Sequence, residues 1–213
     1  GRRFNLEQFG FSRETEKAFR FQAETISASS RNVILDGYWQ SPRYFAENKD
    51  VICRGIADRA LVSHFNTELC KEINGRNSIG LGMRFYSESS YPDFHSYKGI
   101  KKSIKDWQIA LNRMIEVVPN SRFYIFTVDS SDLISNLNFH GRPYHFVDQK
   151  EIADGFPRLA VYASCRHHLF NNSTFFWWGA YLRRFCLPSN DQYVEISDNF
   201  LNQDVYPFEW TKF

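Results

Sequence analysis

Long apolar runs are missing from this 213-residue chain. No stretch approaches the roughly 18 apolar residues that a membrane-spanning helix needs, and the opening Gly1-Arg2-Arg3-Phe4 lacks the form of a secretory signal. Residue 1 is Gly rather than Met, so targeting information upstream of it stays open. The four cysteines, Cys53, Cys70, Cys165 and Cys186, stand far apart with no Cys-x-x-Cys pair. That spacing supports neither a dense disulfide framework nor a cysteine zinc site, and reduced thiols are expected. The six histidines form no spaced ligand set with carboxylates and no Asp-x-Asp occurs, so no metal site is expected. A Gly-x-Gly-x-x-Gly turn is absent, which sets aside a Rossmann oxidoreductase. Net charge is only +2 and evenly spread, too little for a basic face that grips nucleic acid. Repeats and low-complexity tracts are also absent.

What remains is an ordinary globular composition, 43% hydrophobic and 23% charged, enough to build a core. The length suits one compact domain, or one α/β domain plus part of another. Aromatic residues are abundant, with 21 Phe, 11 Tyr and 5 Trp. Such rings fill cores and also serve as flat platforms for sugars and bases.

Strand-like and helix-like segments alternate. Ser12 is expected to cap a helix reaching Ile26, and Val33-Ile34-Leu35 reads as a strand. Asp58 is expected to cap a helix whose Ala60, Leu61, Phe65, Leu69 and Ile73 recur at helical spacing, ended by Asn74-Gly75. Ile79-Gly80-Leu81-Gly82-Met83 reads as a strand that something approaches closely. Residues 86–99 form a loop. Ser103 to Val118 is an amphipathic helix, with Trp107, Leu111, Met114 and Ile115 on one face. Phe123 to Val128 reads as a buried strand, followed by a short helix near Leu133 and a strand at Tyr144 to Val147. A helix over 156–164, a strand at His168-Leu169-Phe170 and a helix over 175–184 complete the pattern, which predicts a mostly parallel sheet covered by helices on both faces.

Ligands of such sheets bind at the carboxyl ends of the strands. Three polar clusters fall there: Arg84 with Glu88, Asp129 with Ser130, and Asn172-Ser173-Thr174. The last lies in Cys165-Arg166-His167-His168-Leu169-Phe170-Asn171-Asn172-Ser173-Thr174-Phe175-Phe176-Trp177-Trp178-Gly179-Ala180. A buried strand runs into a hydroxyl-bearing turn and then an aromatic helix, so hydroxyls and the first free N–H groups converge, an arrangement that holds an anion. The plainer alternative is that Ser173 or Thr174 only caps the helix while Trp177 and Trp178 fill the core. His64, His140 and His145 are isolated and read as structural or solvent-facing. His167 and His168, adjacent on a strand, point to opposite faces and cannot share one ligand.

The run Asn172-Ser173-Thr174-Phe175-Phe176-Trp177-Trp178-Gly179-Ala180 resembles the most specific motif of glycosyltransferase family 11, the α-1,2-fucosyltransferases, with Phe176 where that family has Ser. Asp36 to Phe45, Phe123 to Asp129 and Cys165-Arg166-His167 follow the family's order, so the resemblance spans nearly the whole chain. It implies a Rossmann-like GT-B architecture, with residues 1–75 as the remainder of an acceptor-side domain and 76–213 as the nucleotide-sugar domain. The family's Gly-Gly-x-Gly-Asn-Gln opening has no counterpart here, so the acceptor-side domain is expected to be partial.

The resemblance also implies roles. Ser173, Thr174 and the N–H of Phe175 would contact the pyrophosphate of the donor, GDP-fucose or another sugar nucleotide, with Asn172, Asp129 and Ser130 beside them. Where the family carries His-x-Arg-Arg-Gly-Asp, this chain has Gly82-Met83-Arg84-Phe85-Tyr86-Ser87-Glu88, keeping only the first arginine. Arg84 would stabilise charge developing on the leaving diphosphate, a contact worth on the order of 3 kcal/mol of barrier, and Glu88 would be the base toward an acceptor hydroxyl. Gly82 and Arg158 stand where related enzymes have a histidine and an acidic residue near the base, which puts the base in question. Tyr38, Gln40 and Tyr86 would border the acceptor, a glycan or lipid-linked oligosaccharide. The activity implied is metal-independent, cofactor-free inverting transfer of L-fucose or a related deoxy sugar. The alternative is a non-catalytic or truncated relative that binds glycan or protein. Asn171-Asn172-Ser173-Thr174 holds two overlapping glycosylation sequons where a glycan would block the donor. That favours the cytoplasm, with peripheral association at the inner face of the membrane, over the Golgi lumen.

Overall fold

The computed structural model describes residues 6–17, 20–22, 32–65, 67–84, 102–127, 132–148, 150, 152, 155–187, 191–200 and 202–213. They fall into two compact units, Gly1–Lys49 with Phe200–Phe208 and Asp50–Asn199 with Glu209–Phe213.

In the first unit β1 (Ser12–Thr15) pairs in parallel with β2 (Val33–Asp36), from Ser12 opposite Val33 to Thr15 opposite Asp36. The helix expected to start at Ser12 is therefore a strand at its beginning. The groups that would cap a helix bond across instead: the Ser12 backbone N–H donates to the Asn32 carbonyl at 3.0 Å, its hydroxyl reaches the same oxygen at 3.4 Å, and Arg13 pairs with Asp36 at 3.0 Å. Exposure alternates along the four residues, the period of a strand lying on a surface. Residues 18, 19 and 23–26 of the expected helix lie outside the described residues. A turn at Pro42–Asn48 is capped by the Ser41 hydroxyl, which accepts from the Arg43 N–H at 3.3 Å.

The second unit opens with α1 (Lys49–Ile56), a widened turn at Ala57–Leu61 and a tight turn at Val62–His64. A separate α2 (Glu68–Asn74) follows. The single helix expected from Asp58 to Ile73 is thus broken, because Thr67 starts a new one: its hydroxyl accepts from the Cys70 N–H at 3.2 Å.

Next come β3 (Ser78–Gly82), α3 (Ile104–Val117), β4 (Arg122–Phe126), α4 (Asp132–Ser135), β5 (Tyr144–Phe146), α5 (Phe156–Ser164), β6 (His167–Phe170), α6 (Thr174–Cys186), β7 (Val194–Ile196) and β8 (Thr211–Lys212). Ser103 opens α3 with a capping box, exchanging bonds with Asp106 through backbone and side chain. All six strands are parallel, in the order β5-β4-β3-β6-β7-β8. The chain steps outward from β3 to β5, then returns to the other side of β3 to lay down β6, β7 and β8. This is the Rossmann-like winding, and its direction reverses between β3 and β6.

Strand alternation divides the core. Ile79, Leu81, Phe123, Ile125 and Leu169 pack against Trp107, Leu111 and Met114 of α3, each buried side chain contributing roughly 1.5–3 kcal/mol. On the opposite face Gly80 and Gly82 leave room for Tyr162 of α5 and Phe176 of α6. Arg183 of α6 is buried with its guanidinium on Asn74 Oδ1 at 3.1 and 3.2 Å and on the Ser164 carbonyl at 2.9 Å. It thereby satisfies the last turn of α5. Three cysteines are buried, and the four form no disulfide.

Candidate functional site

The reversal point of the sheet brings Arg84 and the strand leading to Asn172-Ser173-Thr174 together. β3 and β6 are hydrogen-bonded neighbours whose ends coincide, Gly82 opposite Phe170. Both strands run on into the polar residues of interest. The Asn171 side chain closes the gap between them: the Arg84 N–H donates to Asn171 Oδ1 at 2.9 Å, and Asn171 Nδ2 donates to the Arg84 carbonyl at 2.6 Å. The Asn171 N–H bonds the Gly82 carbonyl at 3.3 Å. Asn171 is 2% exposed, so it is spent on fixing the path of the chain at Arg84, whose own side chain is exposed.

After Asn171 the chain turns through Asn172, half-buried, with its amide on the Asn199 carbonyl at 3.4 Å. Ser173 is the N-cap of α6, in extended conformation, yet its hydroxyl makes no capping bond to the helix. The first intrahelical bond runs from the Trp177 N–H to the Ser173 carbonyl at 3.0 Å. The N–H groups of the first turn therefore point out of a helix start that carries no acidic residue, where the helix dipole is positive. Ser173 is buried, Thr174 exposed and Phe175 half-buried. Two hydroxyls, a helix start and the Arg84 strand end are thus neighbours along a line where open α/β sheets bind ligands.

Of the plainer alternative, the core placement of Trp177 holds, whereas the Ser173 cap does not form. Trp177 is 4% exposed and stacks on Tyr181, with centroids 4.5 Å apart, while Trp178 is half-buried. The strand leading in is equally fixed. Burial pushes the His168 imidazole down to about 3 and His167 down to about 4. Their contacts require neutral rings. His168 Nε2 donates to the Tyr162 carbonyl at 3.0 Å while Nδ1 accepts from Gln192 at 3.3 Å, and His167 Nδ1 accepts the Tyr193 N–H at 3.1 Å. The two rings have separate partners, as their adjacency on a strand predicts.

Glu88, Tyr86, Asp129 and Ser130 lie outside the described residues. Tyr38 and Gln40 belong to the first unit, Tyr38 exposed and Gln40 half-buried. Their segment is shaped by a residue that the sequence did not single out. Glu16 Oε2 accepts the N–H groups of Tyr38 at 2.8 Å and Trp39 at 3.3 Å. A Cβ on Gly37, at φ 151°, would lie 2.4 Å from the Glu16 Cβ, so only glycine fits. Asn171 was likewise missed; its one signal was the Asn-Asn doublet directly after a strand.

A cavity of about 520 Å³ elsewhere in the second unit is lined by His64, Thr67, Leu69, His145, Ile152, Pro157 and Val161. Among these described residues there is neither Lys nor Arg to offer a fixed positive charge to a diphosphate. Among the described residues no group of three His, Cys, Asp or Glu side chains could hold a metal ion, and no helix is long and apolar enough to cross a membrane.

Among curated proteins the chain is similar to an α-1,2-colitosyltransferase of Escherichia coli, at 23% identity over 176 residues, 79% of this chain and 59% of that enzyme. The chain therefore spans less than two thirds of that relative's length. No known-family profile matches the chain, and no solved structure matches it.

Proposed function

We propose that the chain is part of a glycosyltransferase that moves a deoxy sugar, L-fucose or a close relative, from a nucleoside diphosphate to a glycan hydroxyl with inversion. Residues 76–213 would hold the donor and the preceding residues part of the acceptor side. The observation that carries this reading is the pairing of Arg84 with Asn171 at the reversal point of the sheet, one residue before the Asn172-Ser173-Thr174 turn. The likeness to a colitosyltransferase supports it in kind.

In this reading the diphosphate lies across the ends of β3 and β6. The N–H groups opening α6 and the hydroxyls of Ser173 and Thr174 donate to phosphate oxygens. As the bond from the sugar to the leaving oxygen breaks, negative charge grows on the diphosphate, and the Arg84 guanidinium stabilises it with charge-assisted hydrogen bonds. Glu88 would take the acceptor proton, and Tyr38, Gln40 and Tyr86 would border the acceptor. Asp129 and Ser130, on the segment after β4, would complete the donor side.

Transfer and donor hydrolysis by the full-length protein with a panel of GDP-, UDP- and dTDP-sugars test this reading. Turnover with a deoxy-sugar donor, lost in Arg84→Ala, is expected. Binding of no nucleoside diphosphate would favour a non-catalytic relative instead.

A further inference from the structure

Gly82 is the last residue of β3, two positions before Arg84, and Phe176 is the third residue of α6, two positions after Thr174. The ring lies directly on the glycine. A Cβ built on Gly82 would sit 2.5 Å from Phe176 Cγ and 2.7 and 2.8 Å from its two Cδ atoms. Ordinary carbon contacts are about 3.5–4.0 Å, so even a methyl group would force the ring back by roughly 1 Å. The overlap begins at Cγ, which turning the ring about its own axis leaves in place, so either Phe176 leaves its χ1 well or the backbone of the first turn of α6 retreats. Nor can the ring shift sideways into slack space. It packs on Tyr162 with centroids 4.9 Å apart, and Tyr162 is itself wedged between Gly80 and Gly179, where added Cβ atoms would lie 2.9 and 2.5 Å away.

We propose that Gly82 and Phe176 form a positioning pair for the binding of a nucleoside diphosphate. The bare Cα at 82 lets the Phe176 ring seat against the strand, and this contact fixes the separation between the opening turn of α6 and the strand end that carries Arg84. The inference rests on the reading of that turn as the diphosphate site. Asn171 holds the same two segments through their backbones; the Gly82–Phe176 contact holds them through side-chain volume. Only one of the two positions can carry a large group.

The test is a four-way comparison of the full-length wild type, Gly82→Ala, Phe176→Ala and the double variant, read as GDP, UDP and dTDP affinity by calorimetry at a temperature where each is folded. Met114→Ala serves as the control, since it opens the core on the α3 face of the sheet, opposite the face that carries Phe176. A displacement of about 1 Å at such a site costs up to about 10²-fold. Gly82→Ala should weaken binding by tenfold or more, whereas Met114→Ala should lose stability with affinity unchanged. Phe176→Ala should also weaken binding, and adding Gly82→Ala to it should restore part of the affinity, because the methyl group refills the vacated space. Should Gly82→Ala not fold, the comparison of Phe176→Ala with the double variant still decides. Wild-type affinity in Gly82→Ala, or a further loss when it is added to Phe176→Ala, would overturn the inference alone. No binding by the wild type would overturn the reading of the site and the inference together.

Discussion

Arg84 and Asn171 exchange two hydrogen bonds, backbone N–H to side-chain oxygen at 2.9 Å and side-chain nitrogen to backbone carbonyl at 2.6 Å. The pair ties the carboxyl end of β3 to that of β6. Removing it in Asn171→Ala leaves two backbone groups without their partner, at a cost of about 1 kcal/mol for each bond. Thermal unfolding should report that loss, and nucleoside diphosphate affinity should fall by on the order of tenfold as the strand end loosens. Unchanged affinity would separate Arg84 from the ligand. The same amide nitrogen is the atom a glycan would need at this sequon, so expression in a glycosylating host should give a folded protein without modification at Asn171, as read by peptide mass spectrometry.

Arg84 itself is exposed, and its replacement should separate function from stability. Arg84→Ala is expected to lower turnover on the order of 10²-fold, with unfolding free energy changed by less than about 0.5 kcal/mol. Arg84→Lys should recover part of the rate, because it restores the charge but not the paired donors of a guanidinium.

Acid should weaken the fold through β6. His167 and His168 are held neutral, mainly by burial, down to about 4 and about 3 against an ordinary value of 6.5. Between pH 6.5 and those values the unfolded chain binds protons that the native rings refuse, so stability is fully present above 6.5 and is lost as pH falls through the window. Denaturant melts from pH 7 to 4 should show this slope, and His168→Gln should flatten part of it. An equal slope in the variant would mean that other groups carry the acid sensitivity.

Arg183 is 2% exposed and bonds Asn74 and the last turn of α5. Arg183→Ala should destabilise by about 3 kcal/mol, since buried acceptors lose a charged donor, and Arg183→Lys should rescue little. Chemical denaturation measures both.

Three helices are legible in the sequence because each carries its own period or start signal: Ser103 and the apolar face after it mark α3, and the apolar residues of 156–164 and 175–184 mark α5 and α6, whereas α1 and the break before α2 are not legible. β7 and β8 are not legible. Val194–Ile196 is interrupted by Glu195, a fully buried carboxylate made tolerable by Arg113, 82 positions away in sequence, at 3.0 and 3.2 Å, and by the Tyr193 hydroxyl at 2.9 Å. Thr211–Lys212 has two residues, too few for any period. Ser12–Thr15 reads as a helix start because its partner β2 is distant in sequence. The site was half visible. The Ser173-Thr174 turn follows from the strand, turn and helix pattern, and Arg84 from the resemblance. The glycines of β3 announce a close approach, which Tyr162 and Phe176 make, whereas the roles of Asn171 and Glu16 depend on neighbours that no local pattern encodes.

The most direct measurement is the crystal structure of the full-length protein soaked with a nucleoside diphosphate. The diphosphate should lie between the ends of β3 and β6, with its oxygens within hydrogen-bond distance of the Arg84 guanidinium and of the Ser173 or Thr174 hydroxyl. A diphosphate bound elsewhere, or one touching the α6 turn while Arg84 points away from it, would contradict the shared grip.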